Sequence, residues 1–364
     1  MKKGLITLAV ILIAGVGVFL LWPSPLDSVA WEPPEPPALD GRLAPNEVLD
    51  EAELLAKGQV VGPEDTEVDD QGRVYGGLDD GTIVRIGSDG QVETFADTGG
   101  RPLGMEFDAD GNLIVADAWK GLLSVDPEGN VEVLTRESNG VPFAFTDDLD
   151  IADDGSIYFS DASHRFNQPD YRLDLMSARG YGRLIRYDPE TDETETLMDG
   201  LHFANGVALA EDEASLLVNE TGRYRIQRYW LEGDKAGTSE VFAENLPGFP
   251  DNLARDEEGI FWVALPTRRN AQMDGLHPHP WLKNQVAKLP KWVQPNPEPY
   301  GLVLAFDGEG ELLGSLHDTD GDRLQMVTSV KPRQGALYFG SLYNDRIGKL
   351  DRERALEALE GEVP

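Results

Sequence analysis

Two lysines, Lys2 and Lys3, precede an uncharged apolar run over residues 4–22, and from residue 62 onward the pattern changes to short apolar stretches separated by acidic turns. At ~1.5 Å per helical residue the first run nearly crosses a hydrocarbon core of ~30 Å, so it reads as one transmembrane helix. Positive charge stays on the cytoplasmic side, which places the N-terminus inside and everything after Trp22 outside the cytoplasm. The competing reading is a signal peptide. Ser28-Val29-Ala30 has the small-residue spacing that a signal peptidase accepts, and cleavage after Ala30 would release a secreted form. The run exceeds the usual apolar region of a signal peptide, which favours the uncleaved anchor. Residues 23–50 include Trp31-Glu32-Pro33-Pro34-Glu35-Pro36-Pro37, which cannot form helix and is expected to stand off the membrane as a stiff, extended linker.

Beyond the linker one unit recurs: an apolar strand, an acidic turn ending in glycine, and further strands. Phe107-Asp108-Ala109-Asp110-Gly111-Asn112-Leu113-Ile114 is one copy, and others begin at Val68, Ile151, Leu209, Ala254 and Val330. A repeat of roughly forty residues carrying about four strands is what a propeller blade requires, and six blades close a ring around a channel. The expected fold is therefore all-β, a six-bladed β-propeller over residues 51–364, preceded by a transmembrane segment (1–22) and the linker (23–50). Insertions at 164–181 and 266–300 stretch the third and fifth copies and are expected to emerge as lids on one face.

Charge and composition narrow the chemistry. With 31 Lys and Arg against 66 Asp and Glu the net charge is −35, a field that repels phosphate backbones and excludes nucleic acid as a partner. There is no cysteine, so disulfides, thiolate metal sites and cysteine nucleophiles are excluded. No glycine-rich phosphate loop or serine nucleophile elbow occurs. Counting back eight residues from each turn glycine gives Glu64, Leu103, Asp147, Asn205, Asp251 and Val327, with Glu213 standing where the fourth glycine would be. Radial repetition points equivalent positions at a common axis, so four oxygen-bearing side chains should converge. Three carboxylates and an amide suit Ca2+, which takes 6–8 hard oxygens, rather than zinc. The alternative is that these residues cap strands and turns.

Glu64-Asp65, Phe145-Thr146-Asp147-Asp148-Leu149-Asp150, Asn205-Gly206-Val207 and Pro250-Asp251-Asn252 resemble the calcium-ligand segments of the gluconolactonase, regucalcin and paraoxonase superfamily. Gly100-Arg101-Pro102-Leu103-Gly104, Ile157-Tyr158-Phe159-Ser160-Asp161-Ala162-Ser163 and the stretch from Arg223 to Leu231 are most similar to its strictosidine-synthase-like and adipocyte plasma-membrane-associated-protein-like branch. The resemblance implies Ca2+ held by Glu64, Asp147, Asn205 and Asp251, a second ion at Asp65 and Asp148, and Asp251 as general base. Asp147 replaces the asparagine common in the hydrolases. Leu103 stands where paraoxonases use a histidine, and Thr328 stands where the alkaloid-forming enzymes use a glutamate, which disfavours a carbon–nitrogen condensing or lyase activity. Leu103, Asn252, Trp281 and Trp292 are the expected pocket residues, with a short amphipathic helix near 281–289. His277 and His279, between prolines, read as a surface loop, and His164 as an ordinary loop position.

The activity these features imply is calcium-dependent hydrolysis of apolar esters or lactones. A non-catalytic, membrane-tethered propeller that binds a small molecule or protein is the alternative.

Overall fold

The turn that paces the repeat has one backbone signature. Gly72, Gly111, Gly155, Gly259 and Gly335 have φ between 74° and 84°, and Glu213 adopts φ 53° at the fourth position. This left-handed conformation suits glycine and reverses each innermost strand into its neighbour. The computed structural model describes residues 2–360, so the first residue of the expected helix and the last four of the chain lie outside it.

Six four-stranded antiparallel sheets follow in sequence order, at residues 66–97, 102–135, 146–201, 204–243 and 253–318, with 327–351 forming the sixth. The fourth strand of the last blade comes from the other end of the chain: Glu53–Leu55 pairs antiparallel with Ile347–Asp351, placing Glu53 opposite Lys349. This closure removes a free edge and ties the ring shut. Apolar side chains between neighbouring sheets form the core, such as Trp262, Leu316, Val330 and Phe339 between the fifth and sixth blades.

The innermost strands are irregular where they reach the axis. Ladder register shifts between Pro102 and Met105, Thr146 and Leu149, Ala204 and Val207, and Val327 and Ser329. Such bulges twist the strand and re-aim its side chains. Leu103, Asp147, Asn205 and Thr328 all fall within them. The blades approach closely there: a Cβ on Gly104 would lie 2.6 Å from the Asp148 Cα.

Helix α1, Lys2–Leu21, runs 20 residues with leucine, isoleucine and valine side chains exposed around it. Among the residues whose side chains are described, no helix is long and apolar enough to cross a membrane, and positions 2, 4 and 9 of α1 fall outside that set. The segment after α1 lies along the propeller and does not stand off as a spacer. Leu26 is buried with Met176, Met273 and Ala287, and Trp31 packs between Tyr224 and His277 with the Arg223 guanidinium 4.3 Å from its ring. An extended, proline-rich chain makes no regular hydrogen-bond ladder of its own, so side chains of the fifth-blade insertion bond its carbonyls: Arg269 donates to Pro34 at 2.6 Å and Lys283 to Val29 at 2.7 Å.

Both insertions fold as short helices. The third-blade insertion carries α2, Tyr171–Ser177, and the fifth carries α3, Ala271–Leu276, and α4, Pro280–Val286. Asn270 caps α3, accepting from the Gln272 and Met273 amides. His277 is not on a surface loop: it ends α3 buried beneath Trp31, and burial pushes its imidazole down to about 3. The last helix, α5, Arg352–Glu360, packs on the strand Leu312–Asp318.

Candidate metal centre

Carboxylate oxygens of Glu64, Asp147 and Asp251, from the first, third and fifth blades, all lie within 4.8 Å of one another at the axis. Asn205 of the fourth blade joins them, its Nδ2 donating to Asp251 Oδ1 and its Oδ1 left without a partner, as is Glu64 Oε2. Glu64, Asp147 and Asn205 are buried, and Asp251 alone is half-open to the cavity above. Backbone contacts fix the ring. Thr328 Oγ1 donates to the Glu64 carbonyl at 2.6 Å, Thr221 Oγ1 to the Pro250 carbonyl at 2.6 Å, and Asn219 Nδ2 to the Asp251 carbonyl.

Three carboxylates at this spacing repel one another. Burial, then Asp251 and Asp147, raise the Glu64 carboxyl well above its ordinary range. Burial, then Asp251 and Asp148, do the same to Asp147, while burial brings Asp251 to about 7. Arg101, buried and hydrogen-bonded to the Gly62 and Gly77 carbonyls at 3.0 and 3.2 Å, opposes the rise at Glu64 and Asp147. A buried set of converging carboxylates with unpartnered oxygens and no nitrogen or sulfur donor fits a hard divalent cation.

Asp65 and Asp148 lie one residue further along. Asp65 Oδ2 accepts from the Met105 amide and Asp148 Oδ2 from the Val207 amide, at 2.9 and 3.0 Å. A cationic side chain already serves this layer: buried Lys331 places Nζ 3.2 Å from Glu67 and 3.6 Å from Glu106. Burial raises the Asp65 carboxyl, and burial together with Asp65 raises that of Asp148 well above its ordinary range, the Lys331 charge opposing the rise at both. Among the described residues, Asp65 and Asp148 join no group of three metal-ligating side chains.

Above the ring opens a cavity of about 120 Å³ with mainly apolar walls. Leu103 lines it as expected, together with Phe145, Phe203 and Phe249. Each phenylalanine stands two residues before a ligand position, so the spacing 145/147, 203/205 and 249/251 is a sequence signal for the wall that the ligand pattern alone passed over. Arg101 was likewise visible only as part of the family resemblance. Asn252, expected in the pocket, does not line the cavity: it is buried, with both side-chain amide atoms unpartnered. Trp281 and Trp292 do not line the cavity: they stand 64% and 80% exposed on the outer side of the fifth-blade insertion. The inner side supplies Pro266, Asn270, Met273 and Asn296. Arg172 of α2 bonds Asn296 at 2.7 Å and Lys291 Nζ bonds the Pro169 carbonyl at 2.6 Å, so the two insertions meet over the cavity.

Fold and site define a six-bladed propeller with an acidic, cation-ready centre beneath an apolar, lidded cavity. The sequence profile of strictosidine synthase matches residues 147–234, and that of the strictosidine synthase-like N-terminal region matches 41–86. Human adipocyte plasma membrane-associated protein is 37% identical over 351 residues, covering 90% of this chain and 84% of the relative. Strictosidine synthase-like protein 3 of Arabidopsis thaliana is 35% identical over 335 residues, covering 84% and 86%. The chain belongs to the strictosidine synthase-like and adipocyte plasma membrane-associated protein family. Solved structures share the fold: a gluconolactonase from Xanthomonas campestris (TM-score 0.62, 19% identity, 91% of this chain and 99% of that one), and the calcium-binding protein regucalcin from Agrobacterium tumefaciens (TM-score 0.58, 13% identity, 82% and 92%).

Proposed function

We propose that this protein is a calcium-dependent hydrolase of apolar esters or lactones. The observation that carries the reading is the ring of Glu64, Asp147, Asn205 and Asp251 at the floor of a phenylalanine-walled cavity. Calcium held there supplies Lewis acidity toward the scissile carbonyl and its developing oxyanion. Phe145, Phe203 and Phe249 seat the apolar part of the substrate and exclude bulk water. Asp251, the most open of the three carboxylates, takes the proton of the attacking water as the new carbon–oxygen bond forms, and returns it to the leaving alkoxide as the old bond breaks. Thr328 offers no carboxylate and is committed to the Glu64 carbonyl, which weighs against condensation chemistry of the alkaloid-forming kind. The names of the fold neighbours, a gluconolactonase and a calcium-binding regucalcin, support the reading at the level of fold.

The same proposal makes α1 an uncleaved anchor, with its N-terminus cytoplasmic and the propeller outside the cytoplasm. Twenty helical residues reach ~30 Å, the thickness of a hydrocarbon core. Residues on both sides of the potential cleavage point are docked: Ser28 Oγ donates to the Pro280 carbonyl at 3.0 Å before it, and the Trp31 amide donates to the His277 carbonyl at 3.1 Å after it.

The test is a panel of aryl esters and lactones assayed on the detergent-solubilised full chain, with chelator and with calcium restored. Asp251→Asn is expected to abolish turnover even at calcium concentrations that saturate its thermal shift. Full activity of that variant on the best substrate would refute the proton-acceptor role.

A further inference from the structure

We propose that the outer side of the fifth-blade insertion rests on the lipid bilayer, so that the cavity opens toward the membrane and takes its ligand from it. The inference rests on the anchor reading of α1 and adds a surface, an orientation and a lipophilic substrate class to it.

Three observations carry it. The first is a physical join between insertion and anchor. Lys288, just past α4, donates to the Phe19 and Leu20 carbonyls at 3.1 and 3.4 Å and sits 5.3 Å from the Phe19 ring. The insertion is therefore held at the C-terminal end of α1, where a spanning helix leaves the hydrocarbon. The second is the kind of side chain exposed there. Trp281 and Trp292 are 64% and 80% exposed, and Trp22 at the end of α1 is 67% exposed. Leu282 and Val293 are exposed beside the two insertion tryptophans. Tryptophan with an apolar body and one N–H is the residue that settles at the headgroup level of a bilayer, and exposed apolar side chains so grouped mark an interaction surface.

The third is charge. In a chain of net charge −35, residues 275–297 contain no aspartate or glutamate and include Lys283, Lys288 and Lys291. Lys283 is buried, leaving Lys288 and Lys291 toward the surface. A face without acidic groups avoids the repulsion that the rest of this surface would meet at anionic lipid, and lysines near the headgroups are favourable. Alternatives for such a face, a soluble protein partner above all, do not explain why it is tied to the end of the apolar helix.

The cavity mouth is built from the reverse side of the same insertion and from α2, with Asn270, Asn296, Arg172 and exposed Tyr343 at its rim. A molecule dissolved in the outer leaflet would thus meet the lids before it met water. This geometry favours lipophilic ligands whose reactive carbonyl reaches the acidic ring at the cavity floor.

The full chain is reconstituted in vesicles of phosphatidylcholine and phosphatidylserine, brominated at shallow acyl positions, and tryptophan emission is compared between the wild type, Trp22→Phe and the pair Trp281→Phe/Trp292→Phe. The expected result is that the pair of substitutions removes a distinct share of the bromolipid quenching, and that Tyr343→Trp in that background restores part of it. If quenching is unchanged by the pair while Trp22→Phe reduces it, the anchor stands and the resting face is wrong. If no tryptophan is quenched and the chain fails to float with the vesicles, the anchor reading falls and takes this inference with it. Circular dichroism and an unchanged melting temperature verify that the exposed substitutions leave the propeller folded.

Discussion

Lys331 is a buried cation among the carboxylates of the inner strands, and replacing it with methionine tests how the channel tolerates its acid. The ammonium is buried against Glu67 at 3.2 Å and Glu106 at 3.6 Å. Methionine keeps most of the stem's volume and deletes the charge, so the penalty is electrostatic. Removing one partner from a buried ion pair costs about 3–5 kcal/mol, because the remaining charge is left in a low-dielectric setting. Arg333 still reaches Glu67 at 3.0 Å and Glu106 at 2.7 Å, which argues for the lower end. At roughly 2 °C per kcal/mol for a domain of this size, the melting temperature should fall by roughly 6 °C. The pH dependence gives a second, signed readout. Burial raises Glu106, but Lys331 and then Arg333 overcome it and hold the carboxyl below its ordinary value. In the wild type this contribution is present above the unfolded pKa and is lost as pH falls through the folded one. Without Lys331 burial acts with less opposition, and the carboxyl binds its proton more readily in the folded state. The gap between variant and wild type should therefore narrow from pH 8 to pH 5. Differential scanning calorimetry in chelator, at both pH values, checks both. A melting temperature within about 1 °C of wild type at pH 8, or a gap that widens on acidification, refutes the reasoning.

Lys331→Ala, which vacates the space instead of filling it, should recover melting temperature with added calcium more strongly than Lys331→Met does, with Asp65 and Asp148 among the oxygens then open to an ion; equal responses would remove that expectation. For the main centre, chelation should lower the wild-type melting temperature, since a hundredfold excess of ion over its dissociation constant stabilises by ~2.7 kcal/mol, and Asn205→Ala should show the same shift only at higher calcium; elemental analysis finding no metal, with melting unchanged by chelation, would count against the site. Gly104→Ala would place a Cβ 2.6 Å from the Asp148 Cα, and overpacking of this kind costs about 1–3 kcal/mol; urea unfolding should show it, and an unchanged midpoint would mean that the bulges can open.

The ring was legible because a propeller converts a constant offset along the chain into a constant place around an axis. Eight residues before each turn glycine is such an offset, and it survives even where Glu213 replaces the glycine, since that residue takes up φ 53° regardless. The same logic would have found Phe145, Phe203 and Phe249 had the offset of two before the ligand been read as well. The inner-strand bulges were not legible. They are departures in the hydrogen-bond ladder where neighbouring blades approach closely at Gly104 and Gly206, and no single strand's alternation encodes them. Lys331 was missed for a related reason: its partners Glu67 and Glu106 come from two other blades, more than two hundred residues away.

Where the repeat stops, so does the inference from period. The fifth-blade insertion lies outside the repeated unit, as the third-blade insertion does, so nothing in its spacing says which side of it faces the axis. Aromatic content suggested that Trp281 and Trp292 line the pocket, yet the structure turns Met273 and Asn270 inward and the tryptophans out. The difference is set by partners distant in sequence. Leu26 fills the space beside Met273 and Ala287, and Lys283 is drawn inward by the Val29 carbonyl at 2.7 Å. With α4's inner side committed to the chain that follows α1, its tryptophan can only face outward. The proline-rich segment thus does more than join helix to propeller: its carbonyls hold the Lys283 and Arg269 side chains, orient the insertion that roofs the cavity, and leave the exposed aromatic side of that insertion at the end of the apolar helix.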